Sequence, residues 1–216
     1  MMTEPTVFVV DDDEGIRESL QQLLAAAGLR VETFADAPSF LAAYCSDQPG
    51  CLLLDVRMPY MSGLVLQAEL AARGIRLPII MITAHGDVGK AVRALKSGAM
   101  DFIEKPFNPR ALLGRVREAL AKDGENRSQQ VRVEEIRSRL ALLSPREQQI
   151  MRLTIVGLSN KQMALKLGLS RKTVELHRAH AMHKMEAQSL AELVRMVLAV
   201  EPDGHALPTG PAEQEA

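Results

Sequence analysis

Tryptophan is absent from this chain, and all aromatic residues together make up only 3% of it. Its cores must therefore be aliphatic, built from Leu, Val, Ile, Ala and Met. Cysteine is nearly absent too. Cys45 and Cys51 are the only two, and two isolated thiols at that spacing make neither a disulfide framework nor a zinc site. No apolar run reaches the roughly 20 residues that span a bilayer. The opening stretch MMTEPTVFVVDDD has neither the basic start nor the small-residue cleavage site of a signal peptide. A reduced, cytoplasmic protein with no membrane partner is expected. Neither sign of charge dominates: 26 Lys and Arg stand against 27 Asp and Glu, a net charge of −1. The balance hides an asymmetry. Residues 1–122 hold 13 basic against 15 acidic residues, or −2, and residues 144–200 hold 9 against 4, or +5. A basic carboxyl-terminal half can meet a polyanion; the acidic half is ill suited to the same task.

With 216 residues, 47% of them hydrophobic and 25% charged, the chain has ordinary globular composition and room for two domains. Five short apolar runs occur before residue 122: Thr6–Val10, Arg30–Phe34, Cys51–Leu54, Leu77–Ile82 and Phe102–Ile103. Helical patterns separate them. In IRESLQQLLAAAG, Ile16, Leu20, Leu23 and Leu24 share a face and Gly28 is a stop. Further helices are expected at Pro38–Cys45, Gly63–Arg73, Val88–Ser97 and Pro109–Lys122. Strands alternating with helices predict a parallel sheet covered on both faces. Ligands of such sheets sit beyond the carboxyl ends of the strands.

Those ends carry the chemistry. Asp11, Asp12 and Asp13 follow the first strand, Asp55 the third and Lys105 the fifth, and Thr83 ends the fourth. An acidic triplet alone is more often a helix cap, and Asp13 suits that role. A lysine before a proline is more often a plain surface residue. Four polar positions at strand ends, in order, are a much stronger signal. Carboxylates crowded in this way repel one another. A hard divalent cation, Mg²⁺, relieves that repulsion with oxygen ligands and retained waters. A carboxylate poised there can attack phosphorus to give an aspartyl phosphate, with Thr83 and Lys105 on the phosphoryl oxygens.

The segments VFVVDDD, LLLDVRMPYMSGL, IIMITAHGD and DFIEKPF resemble the receiver domain of two-component systems over residues 5–121. The resemblance implies a flavodoxin-like (βα)₅ fold, with Asp55 as the phosphoacceptor. It implies Asp12, Asp55 and the backbone carbonyl of Arg57 as direct Mg²⁺ ligands, with Asp11 acting through water. It also implies a cis Lys105–Pro106 bond and Phe102 as a switch aromatic that turns inward when phosphate draws Thr83 in. In receivers, the positions of Arg57 and His85 border the path of the attacking water. Two bulky groups there are expected to set the lifetime of the phosphate, slowing its hydrolysis.

Polar Lys122–Ser128 is expected to interrupt the pattern. Beyond it, Val133, Ile136, Leu140 and Leu143 form one narrow stripe of a linker helix, residues 122–143, which packs on its own chain or pairs across a dimer. Packing on its own chain is favoured, because the stripe spans fewer than two heptads. Residues 144–200 are helical throughout. Ser144-Pro145-Arg146-Glu147 is a capping box opening a helix that stops at Gly157. Asn160–Leu167 is a short helix ended by Gly168, and Ser170 caps a longer one running from Arg171 to about Met185. A fourth starts near Ser189. A short helix, a glycine turn and a longer helix make a helix-turn-helix. Residues 201–216, rich in Pro, Gly and acid, read as a disordered tail.

The longer helix carries Val174 and Leu176 among many charged and polar groups. LSPREQQIM, GLSNKQMALKLGLSRKTVELHRAHAMHKM and SLAELVRM resemble the LuxR-type helix-turn-helix, so the chain is similar to the NarL/FixJ family of response regulators. The resemblance places Lys172, Thr173, Glu175, Leu176, Arg178 and Ala179 nearest DNA, with Asn160, Lys161 and Lys184 near its backbone. Several family members carry Lys where this chain has Glu175. The implied protein is a transcription factor, not an enzyme. A sensor histidine kinase phosphorylates it, and it dimerises on phosphorylation, binds double-stranded promoter DNA and works with RNA polymerase. The rival is a phospho-regulated protein-interaction module whose helical domain does not read DNA; the basic third helix argues against it. A phosphatase is disfavoured, since DDD followed by EG lacks the DxDxT pattern of aspartate-nucleophile phosphatases.

Overall fold

The computed structural model describes residues 4–45, 48–83 and 88–200, with only the backbone at 88–91. The expected tail and His85 lie outside the described residues. The chain divides into two compact units, Met1–Arg127 and Ser128–Ala216.

The first unit alternates strands and helices: β1 Thr6–Val10, α1 Glu14–Ala26, β2 Arg30–Phe34, α2 Ala37–Ala43, β3 Gly50–Asp55, α3 Gly63–Ala72, β4 Ile79–Thr83, α4 Val88–Lys96, β5 Asp101–Glu104, and α5 from Pro109. The five strands are parallel, in the order β2-β1-β3-β4-β5. Every residue of β1, β3 and β4 is buried, which is why these runs are apolar without alternation. Successive side chains serve opposite layers. Phe8, Val10, Leu52, Leu54 and Met81 pack with Phe40, Leu66 and Leu70. Val7, Val9, Cys51, Leu53 and Ile82 pack with Leu20, Leu24, Leu112 and Val116. The scarce aromatics are concentrated: Phe8, Phe34, Phe40 and Tyr44, four of seven, form one cluster with ring centroids 5.2–5.8 Å apart.

Most boundaries fall within a residue or two of expectation, and two of the differences have a clear cause. β4 begins at Ile79 and not Leu77, because Pro78 has no N–H to give the ladder; its carbonyl still accepts from Leu52 N at 2.9 Å. More consequential is α5, which runs unbroken from Pro109 to Ala141 through the polar stretch expected to interrupt it. Tertiary contacts outweigh the weak local propensity. Asp123, 3% exposed, accepts from the Gly50 N–H at 2.9 Å and from Arg127 Nε, one turn on, at 2.7 Å. Arg127 Nη2 in turn donates to the Gln48 carbonyl at 2.8 Å. A buried carboxylate and its guanidinium thus clasp the helix to the start of β3. Gly50 itself must be glycine, since a Cβ there would lie 2.0 Å from the Thr6 carbonyl oxygen.

The second unit comprises the end of α5 with α6 Pro145–Ile155, α7 Asn160–Leu167, α8 Arg171–Lys184 and α9 Leu190–Val200. The stripe of Ile136, Leu140 and Leu143 packs within this unit, against Met151, Ala181, Met185 and Leu193. A second cluster of Ile150, Met163 and Val174 joins α6, α7 and α8. Among the described residues, no helix is long and apolar enough to cross a membrane.

Asp123→Ala leaves a buried N–H without its partner and frees Arg127. We expect a loss of about 1–3 kcal/mol in denaturant unfolding of the first unit, with faster hydrogen exchange of the α5 amides around 120–130. Unchanged exchange there would contradict the clasp.

Candidate functional site

The strand order reverses between β1 and β3, which opens a crevice at their carboxyl ends. Val10 is paired with Leu54, so Asp11 and Asp55, the residues that follow, stand side by side. Both are buried, at 1% and 5% exposure, as is Thr83 at the end of β4. Lys105 arrives from the loop after β5. Its Nζ lies 2.7 Å from Asp11 Oδ2 and 2.7 Å from Asp55 Oδ1. Its own N–H donates to the Thr83 carbonyl at 2.8 Å, and the bond to Pro106 is cis.

The remaining carboxylate oxygens accept from backbone. Asp11 Oδ1 takes the Asp13 N–H at 3.0 Å, and Asp55 Oδ2 takes the Arg57 N–H. Asp13 caps α1 through the Ile16 N–H at 3.1 Å, as its position suggested. Arg17, which sequence reasoning passed over, ties the acidic loop down by donating to the carbonyls of Asp11 and Asp12 at 2.8 and 3.0 Å. Gly63 closes the other side: a Cβ there would lie 2.2 Å from the Asp55 carbonyl oxygen, so only glycine lets α3 start this close to β3.

Burial pushes the Asp55 carboxyl above the usual carboxylate range, more than the Lys105 ammonium pulls it down, and Asp11 adds to the rise. Burial works against the Lys105 charge, but hydrogen bonds and attraction to both aspartates outweigh it and hold its pKa up. Two carboxylates thus share one ammonium, and negative charge remains in excess.

Among the described residues, no three His, Cys, Asp or Glu side chains stand together as a ready metal site. Asp11 and Asp55 converge, while Asp12 is exposed beside them. Two hard oxygen donors with excess negative charge do fit Mg²⁺, which needs only one or two carboxylates and keeps its waters. Arg57 is exposed on the β3–α3 loop. Phe102 stands on edge strand β5, paired with Met81, with 37% of its surface exposed.

In the second unit, three hydroxyl caps shape the helix-turn-helix. Ser144 and Glu147 form a reciprocal box on α6, Ser159 and Gln162 another on α7, and Ser170 caps α8 through the Thr173 N–H at 3.0 Å. Gly168 takes a left-handed φ of 64° between α7 and α8. Val174 and Ala181 turn inward from α8. Lys172, Glu175, Leu176 and Ala179 are exposed, while Thr173 and Arg178 are half-buried. On α7, Lys161 is exposed and Asn160 half-buried. Lys184 is otherwise engaged: its Nζ contacts Glu147 Oε2 at 2.7 Å and the Leu142 carbonyl at 3.2 Å. That buried carboxylate, which the capping pattern alone does not pair with a lysine, is held down to a pKa of about 2 by the Lys184 hydrogen bond and the Ser144 N–H.

The response regulator receiver domain model matches residues 7–117, and that of the bacterial regulatory proteins of the luxR family matches residues 141–197. The chain is 47% identical over 205 residues to the transcriptional regulatory protein FixJ of Azorhizobium caulinodans, covering 94% of this chain and 97% of that one. It is 47% identical over 194 residues to nodulation protein W of Bradyrhizobium diazoefficiens, covering 90% and 86%. Among solved structures it is similar to the response regulator StyR (TM-score 0.81, 47% identity, 90% of this chain and 98% of that one). It is also similar to full-length FixJ from B. japonicum (TM-score 0.56, 40% identity, 93% and 98%).

The Glu147 geometry has a pH consequence. A carboxyl with a depressed folded pKa stabilises the fold above its unfolded value near 4.5 and loses that contribution as pH falls through about 2. Glu147→Gln should lower the stability of the helical unit at pH 7 by about 0.5–1 kcal/mol. It should also flatten the pH dependence between these limits, as read by melting curves. A variant with the wild-type slope would refute the role of this pair.

Proposed function

The chain belongs to the two-component response regulators that join a receiver domain to a luxR-family DNA-binding domain, and on that footing we propose that Asp55 is its phosphoacceptor. It is a transcription regulator of the FixJ-like kind, controlled by phosphorylation. Its receiver is read as residues 5–121, its connecting helix as 122–143 and its DNA-binding domain as 144–200, with a tail over 201–216. The observation that best supports the phosphoacceptor role is the convergence of Asp11, Asp55, Thr83 and Lys105 at the carboxyl ends of neighbouring strands.

Each residue has a distinct task. Asp12, Asp55 and the Arg57 carbonyl would hold Mg²⁺ directly, with Asp11 acting through water, and the ion would neutralise the carboxylates and the incoming phosphoryl oxygens. Asp55 supplies the attacking oxygen, and its bond to phosphorus forms as the P–N bond of the donor histidine breaks and the imidazole leaves. Lys105, freed from one carboxylate as that oxygen becomes part of an acyl phosphate, carries its charge to the phosphoryl group, and the Thr83 hydroxyl donates to it. Phe102 has exposed ring surface to bury. Turning it inward gains on the order of 1 kcal/mol, enough to bias a two-state face made by α4, β5 and α5. In receivers the positions of Arg57 and His85 border the path of the attacking water, and the two side chains are expected to lengthen the life of the phosphate.

The donor is a sensor histidine kinase, and the target is double-stranded promoter DNA. Phosphorylation promotes a homodimer that presents two DNA-binding domains to two half-sites and acts with RNA polymerase in the cytoplasm. The chain works as a regulator and not as an enzyme. Lys172, Thr173, Glu175, Leu176, Arg178 and Ala179 face the groove, with Lys161 on the backbone. Lys184 reaches DNA only by leaving Glu147.

Acetyl phosphate with Mg²⁺ should label the wild type and not Asp55→Ala. Labelling should tighten binding to a selected duplex at least about tenfold through pairing, and Arg57→Ala should shorten the phosphate half-life. Full labelling of Asp55→Ala would overturn the site. An affinity that ignores phosphorylation would overturn the mechanism.

A further inference from the structure

Asn160 opens α7 opposite the exposed face of α8, and its amide is used in both senses. Oδ1 accepts from Arg178 Nη1 at 3.0 Å, while Nδ2 donates to Glu175 Oε1 at 3.4 Å. The same Glu175 oxygen lies 3.3 Å from Arg171 Nε. Residues 171, 175 and 178 rise along one face of α8, a helical turn apart. The result is a chain of alternating character: guanidinium, carboxylate, amide, guanidinium.

This arrangement suits positioning better than contact with a phosphate. A phosphate would have to approach an amide already committed to Glu175, against the charge of that carboxylate. The two α8 side chains that Asn160 touches have the chemistry to read bases. A carboxylate accepts from the cytosine amino group, and a guanidinium donates to guanine O6 and N7. Both side chains are long, and Glu175 is half-exposed. Ordering them before DNA arrives removes a conformational cost of binding and denies them other rotamers. The amide is also matched to its partners, since a carboxylate at 160 would accept from Arg178 but repel Glu175.

We infer that Asn160 is a specificity-determining positioning residue: its amide fixes Glu175 and Arg178 so that together they read G·C pairs in the half-site, and it adds little through the DNA backbone. This rests on the DNA-binding reading above, and the test separates the two. Sites are first selected from a randomised duplex pool with the full chain treated with acetyl phosphate and Mg²⁺. Binding of wild type, N160A, N160D, E175A and R178A to the selected site and to a random duplex is then measured over a range of salt.

N160A is expected to lower the ratio of specific to random binding about tenfold, within the range of one good base contact. The salt slope and the random-duplex affinity stay unchanged. Reselection with N160A should lose preference at the same base positions that E175A and R178A relax, and N160D should lose at least as much. If N160A weakens both duplexes equally and lowers the salt slope by about one, Asn160 is a phosphate contact and the inference is wrong. Relaxation at positions other than those of Glu175 and Arg178 overturns it too. N160S, which keeps a small polar residue at the helix start, repeats the comparison should N160A melt early. A wild type that selects no sequence removes the DNA-binding premise itself, and the inference with it.

Discussion

One ammonium between two buried carboxylates organises the first unit. Adjacent parallel strands carry Asp11 and Asp55 to the same depth, and Lys105 bridges them at 2.7 Å on either side. A single positive charge cannot neutralise two negative ones. Burial accordingly keeps the Asp55 carboxyl high, while the Lys105 charge is held firmly. The imbalance is the useful property: negative charge in excess suits a hard cation, and the proposed phosphoacceptor role rests on it. Much nearby detail serves this arrangement. Arg17 ties the acidic loop, the cis bond turns the Lys105 loop, and Gly63 brings α3 close behind Asp55.

β3 is held at both ends by charged groups. At one end Asp55 meets Lys105; at the other the Gly50 N–H meets Asp123, itself paired with Arg127. Asp123 is therefore part of the sheet's support as well as of α5. It accounts for the continuity of a helix whose local sequence, with Gly124 and six polar neighbours, argues for a break. A buried carboxylate with two donors contributes about 1–3 kcal/mol, enough to offset the roughly 1 kcal/mol that Gly124 costs in a helix interior.

The helical unit is built differently. Its short helices are punctuated by hydroxyl caps, and a buried carboxylate, Glu147, gathers the Ser144 N–H and Lys184. Groups that stabilise the fold and groups that face outward share α8. Lys184 is spent on the former. Asn160, Glu175 and Arg178 form a network on the latter.

Much of this was legible in the order of residues. Apolar runs such as CLLL and IIMI, alternating with helical patterns, read as buried parallel strands. Capping boxes and glycine stops placed α6, α7 and α8 to within a residue or two. Asp11, Asp55, Thr83 and Lys105 could be named because strand ends converge in this topology. These signals are local, and they repeat with the period of the element that holds them. Other features were not legible, because they join residues distant in the chain with no period to announce them. Asp123 reaches Gly50 across 73 positions, Lys184 reaches Glu147 across 37, and Arg178 reaches Asn160 across 18. Sequence alone determined most of the elements, the continuity of α5 excepted, and which chemistry stands at their ends, since propensity, capping and hydrophobic period act within a few residues. Only the tertiary structure decided which charges pair, and so which of them remain free to meet a ligand, because a charge takes its partner by distance and burial in space.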